Sequence, residues 1–120
     1  MTALSLNRSR LVRMTGAAAL LVALALAPAW GQDMPSFKLV IKAGRFVPDT
    51  LEVPANTKFR LLITNEGPGA EEFESIELRK EKVLAPGASS FLIFQPLKPG
   101  IYKFFGEFHP DTAQGRFIAK

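Results

Sequence analysis

The chain has 120 residues, with 15 basic and 11 acidic side chains, one histidine and no cysteine. The lack of cysteine excludes disulfide staples, thiol chemistry and thiolate metal ligands, and a single histidine rules out a dense zinc motif. Most of the +4 formal charge sits at the start: without Arg8, Arg10 and Arg13, 12 basic residues face 11 acids, a net +1, which gives no basis for nucleic-acid or membrane-surface binding.

In chain order, the first segment reads as an address rather than structure. Three arginines precede the apolar run "TGAAALLVALALAPAW", and Ala27-Pro28-Ala29 supplies small residues where a signal peptidase reads. This is the pattern of a cleavable secretory signal over residues 1–29. The run is shorter than the roughly 20 residues a spanning helix needs. No cysteine follows it, which excludes a lipoprotein, and no adjacent arginine pair marks a twin-arginine signal. The expected location is the periplasm, without membrane insertion after cleavage. Residues 30–36 read as a short linker, and residues 37–120 as one domain of conventional small size.

Within that domain Pro or Gly recurs about every ten residues, between short runs rich in β-branched and aromatic side chains, a spacing that predicts a sandwich or barrel. "SFKLVIKAG" (36–44) alternates, with Phe37, Leu39 and Ile41 on one face. "TLEVPA" (50–55) is a short strand whose proline suits an edge. "KFRLLITNEG" (58–67) alternates strictly, with Phe59, Leu61 and Ile63 inward. "EFESIEL" (72–78) is a short irregular strand, and "LRKEKVLAPG" fits either a helical turn or an exposed strand. "SSFLIFQPL" (89–97), "GIYKFFGEF" (100–108) and "GRFIAK" (115–120) complete the series. About seven strands in an all-β, antiparallel Greek-key sandwich are expected, with ten phenylalanines in place of disulfides.

Four phrases in order resemble the cupredoxin family, the copper-binding Greek-key sandwiches such as plastocyanin. "FVPDTLEVPANTKFRLLITNEG" resembles its first half, with Asn56 at a turn position usually held by glycine, where it tolerates the same left-handed backbone. "LAPGASSFLIFQPLKPGIYKFF" resembles its second half. By this resemblance the four copper-ligand positions fall at Glu71, Gly106, His109 and Gln114, so only one ligand, His109, is kept outright. A blue-copper centre needs a cysteine thiolate, and Gly106 supplies none, so no type 1 copper is expected. The remaining donors favour a divalent transition metal, Fe or Cu foremost.

"GPGAEEFESIELRKEKVLAPG" and "FFGEFHPDTAQG" are similar to cupredoxin-like periplasmic proteins associated with oxidase-dependent ferrous-iron permeases. In that group a Glu-Phe pair follows the Asn strand, here Glu72-Phe73, and a second glutamate precedes the turn, here Glu81. The parity of Phe73 instead puts Glu71 at the ligand position, so Glu71 and Glu72 both stand as candidates. The expected metal set is His109, Glu71, Glu72, Glu107, Glu81 and Gln114. The resemblance implies handling or oxidation of ferrous iron for a membrane iron permease and its periplasmic uptake partners, with accessory oxidase activity open. The alternatives are a periplasmic Cu(II) carrier or chaperone, and a structural or partner-binding sandwich with a degenerate metal site. Taken singly, these residues have plainer readings: a solvated loop histidine, and glutamates paired with Arg79, Lys80 and Lys82. Ser89 and Ser90 lack a hydrolase triad, and no phosphate-binding glycine loop is present.

Overall fold

The computed structural model describes residues 34–120; the expected signal peptide and the first part of the expected linker lie outside the described residues. Nine strands fill the described chain: β1 (Ser36–Lys42), β2 (Arg45–Val47), β3 (Thr50–Val53), β4 (Phe59–Asn65), β5 (Glu71–Ser75), β6 (Lys80–Leu84), β7 (Ser89–Phe94), β8 (Gly100–Phe105) and β9 (Gln114–Ala119). They form two sheets, ordered β2-β1-β4-β7 and β3-β9-β8-β5-β6. The expected all-β sandwich is therefore present. The strands beyond seven are the three-residue β2, which folds back on β1, and β6, which settles "LRKEKVLAPG" as a strand.

Two pairings depart from a purely antiparallel arrangement: β1 runs parallel to β4 and β3 parallel to β9. The cause is a change of sheet. After β2 the chain leaves the first sheet, "TLEV" joins the edge of the second beside β9, and β4 then returns to lie beside β1. β3 is an edge strand, the place where the following Pro54 needs no ladder hydrogen bond. Asn56, just beyond, adopts a φ of 57° and donates its N–H to the Leu97 carbonyl at 2.7 Å.

Alternation places the core. Along β4, Phe59, Leu61 and Ile63 are fully buried, and their neighbours Arg60, Leu62 and Thr64 are half-buried. From the other sheet, Phe73, Phe104 and Phe117 meet Phe59 and Phe94 in one aromatic cluster. Phe117 lies 5.5 Å from Phe59, 5.2 Å from Phe94 and 4.9 Å from Phe104 between ring centroids. Such contacts add about 0.5–1.5 kcal/mol per pair beyond area burial, which lets a cysteine-free domain hold together.

The last residue of β4 secures the approach to β5. Asn65 is buried. Its amide nitrogen donates to the carbonyls of Gly69 and Leu84 at 2.9 and 3.0 Å, and its side-chain oxygen accepts from the Gly67 N–H at 2.9 Å. One side chain thus fixes the 66–70 loop that delivers Glu71.

Candidate metal centre

Strand β5 presents carboxylates to both sides. Glu71, Phe73 and Ser75 face the interior, and all three are buried. Glu72 and Glu74 take the other face, as the two-residue period requires. The β8–β9 connection, residues 106–113, packs beside this strand and brings both Glu107 and His109 to it.

On the inner side, Glu71 and His109 form a pair. Glu71 is 1% exposed; one carboxylate oxygen, Oε2, bonds His109 Nδ1. The other, Oε1, accepts the N–H groups of Glu72 at 2.9 Å and Phe108 at 3.0 Å. The imidazole is half-exposed and lies against Gly44, where a β-carbon would come within 2.8 Å of the ring. Gly44 also has a φ of 71°, so both space and backbone call for glycine there. A cleft of about 260 Å³ opens beside the pair, between Gly44, Pro68, Gly69, Glu71 and His109.

This arrangement does not fit type 1 copper. Gly106 offers no sulfur, and a β-carbon on it would lie 2.8 Å from the Glu71 carboxylate and 2.7 Å from Ala113. The space a thiolate would need is filled by the Glu71 carboxylate and the Ala113 methyl.

On the outer side, Glu72, Glu74 and Glu107 converge, with ligand oxygens all within 4.8 Å of one another. Glu72 is buried, Glu74 half-buried and Glu107 exposed, so the cluster is anchored inside and open at one edge. Glu72 Oε1 is buried without a hydrogen-bond partner. Ionised carboxylates only accept, so the three groups cannot satisfy one another without a proton, a cation or a water from outside the set. Burial, hydrogen bonding to Glu74 and Glu107 and the negative charges of those neighbours raise the Glu72 carboxyl from an ordinary 4.5 to about 7. The plainer alternative, pairing with Arg79, Lys80 and Lys82, does not form: the ion pairs among the described residues are Glu71–His109 and Glu52–Lys120.

The structure thus divides the expected ligand set. Glu71 and His109 come together inside, and Glu72 and Glu107 outside. Glu81 sits opposite Glu74 across the β5–β6 ladder, on the same outer face, and lies outside the converging group. Gln114 is exposed, with its amide donating to the Pro110 carbonyl at 2.9 Å; the inward side chain at that end of the loop is Ala113. Glu74 was absent from the expected set, although its shared parity with Glu72 was a usable signal.

Two twisted sheets with this strand order, and a loop carrying a histidine beside the strand that follows Asn65, define a cupredoxin-like sandwich. The chain belongs to the Cupredoxin-like domain family, which matches residues 15–119. A relative, the uncharacterized protein RP394 of Rickettsia prowazekii (strain Madrid E), is 52% identical over 81 residues, 68% of this chain and 65% of that protein. The chain therefore spans somewhat under two thirds of that relative. Among solved structures it is similar to auracyanin A, a "blue" copper protein from Chloroflexus aurantiacus, at 12% identity and a TM-score of 0.62, covering 73% of this chain and 100% of that one. A purple cupredoxin from Nitrosopumilus maritimus aligns at 20% identity and a TM-score of 0.52, over 73% and 100% of the two chains. At these identities the structural likeness speaks for the fold alone. Among the described residues no helix is long and apolar enough to cross a membrane.

Proposed function

We propose that this is an exported, periplasmic metal-binding protein that holds ferrous iron at Glu72, Glu74 and Glu107 and supplies it to a membrane iron permease. The observation that carries the metal reading is the buried, unpartnered Oε1 of Glu72 within a converging carboxylate cluster. Hard cations bond oxygen at about 2.0–2.6 Å, so oxygens spread over no more than 4.8 Å need only small side-chain rotations to share one ion. An all-oxygen anionic set favours Fe(II), Fe(III) or Mn(II) over Cu(I). It also stabilises Fe(III) more than Fe(II), which lowers the iron potential and suits an accessory role in iron oxidation. The choice of iron and of a permease as recipient rests on the similarity of "EEFES" and "FFGEFHPDTAQG" to permease-associated proteins. The copper-carrier alternative has less support, because the chain offers one imidazole and no thiolate, while the donors that converge are all carboxylates.

Anaerobic titration of the purified protein with Fe(II), Mn(II), Mg(II), Ca(II) and Cu(II) tests this. Saturable Fe(II) binding that is lost in Glu72→Gln and in Glu107→Gln is expected. Tight Cu(II) binding abolished by His109→Ala, with no Fe(II) binding, would establish the copper carrier instead. Iron-limited growth that is indifferent to deletion of the gene would remove the transport role.

A further inference from the structure

We infer that Glu71 and His109, the pair in the former copper position, act as a clamp that positions the outer carboxylate site rather than as ligands themselves. This rests on the metal reading of Glu72, Glu74 and Glu107. Glu71 Oε1 holds two backbone N–H groups at once, those of Glu72 and Phe108. Glu72 is itself one of the converging carboxylates, and Phe108 directly follows another, Glu107. A single buried carboxylate therefore ties together the two chain segments that carry two of the three ligands.

The second carboxylate oxygen completes the clamp through His109. Its ring is held by Glu71 Oε2 on one side and by Gly44 on the other. The backbone around it closes on itself: His109 N–H donates to Gly106 at 3.2 Å, and the His109 carbonyl accepts from Ala113 at 2.8 Å. Thr112 Oγ1 donates to the Gly44 carbonyl at 2.7 Å. Glu107 is exposed, and the groups its carboxyl meets are the other members of the cluster, so the backbone of this loop is what places it. Loss of either half of the pair frees the loop and lets Glu107 drift from Glu72. Groups that orient metal ligands contribute about 10–100-fold in affinity.

Mn(II) titration of the wild type, Glu71→Ala, Glu71→Gln, His109→Ala and Glu72→Gln tests the clamp, with thermal unfolding run alongside. Glu71→Ala and His109→Ala should weaken Mn(II) by about 10–100-fold. Glu71→Gln should stay close to wild type, because its amide oxygen still accepts from Glu72 and Phe108 and its amide nitrogen can donate to His109. A direct ligand behaves otherwise: the amide would then lose as much as alanine does. His109 is the only histidine, so its ring ¹⁵N signals in Zn(II)-loaded protein are unambiguous and should lack a coordination shift. The clamp is overturned if His109→Ala binds Mn(II) like wild type, if the ring nitrogens show coordination, or if Glu71→Gln is as weak as Glu71→Ala. His109 is half-exposed, so its variant keeps the test usable if Glu71→Ala fails to fold. Binding unchanged in Glu72→Gln would instead sink the outer site itself, which separates the two failures.

Discussion

At Glu72 burial and charge conflict most sharply. Its carboxyl is raised to about 7, so between about pH 4.5 and 7 the folded chain keeps a proton that the unfolded chain has released. The unfolded state then binds fewer protons, and stability falls as pH rises through that window. Without metal, the protein should be more stable at pH 5 than at pH 8, by up to about 3 kcal/mol from this group. Glu72→Gln should flatten that dependence and raise stability at pH 8; urea unfolding in EDTA at both pH values checks it. A bound cation replaces the proton, so Mn(II) at about 100 times its Kd should restore about 2.7 kcal/mol at pH 8 in wild type and none in Glu72→Gln, measured as a shift in the urea midpoint.

At the scale of elements, β4, β5 and the β8–β9 connection are joined by a few polar side chains. Asn65→Ala removes three hydrogen bonds and leaves buried backbone groups unpaired. It should cost about 2–4 kcal/mol, read from denaturant unfolding, and weaken Mn(II) binding as the loop before Glu71 loosens. Gly106→Cys restores the missing sulfur in name only. Its β-carbon meets Glu71 and Ala113 below 3 Å, so the variant should lose about 1–3 kcal/mol through overpacking. With Cu(II) it should show no intense thiolate-to-copper absorption band while Glu71 remains. Appearance of that band in the single variant would show that the carboxylate yields the position readily.

For the whole molecule, the phenylalanine cluster holds the two sheets together without any disulfide. Phe117 touches Phe59, Phe73, Phe94 and Phe104, so Phe117→Ala opens a cavity that both sheets line. A loss of about 3–5 kcal/mol takes a large part of the 5–15 kcal/mol typical of a domain. Calorimetry should show a much lower Tm, with reductant making no difference to either protein.

Much of this was legible from local pattern. Alternation in "KFRLLITNEG", the proline after "TLEV" and Asn56 at a left-handed turn depend on backbone geometry and burial within a few residues, and they appear in the structure as read. The absence of a thiolate at Gly106 was equally plain, since a metal centre is limited by the donor types available. Parity placed Glu71 inside with Phe73, and Glu72 and Glu74 outside. What parity could not show is where the 106–113 loop lands. Only the folded chain brings Glu107 to Glu72 and Glu74, 33–35 residues away in sequence, and His109 to Glu71. Only the fold turns Gln114 away and makes β1–β4 and β3–β9 parallel. These outcomes depend on how two sheets exchange strands and how a loop packs beside β5, long-range contacts that local periodicity does not encode.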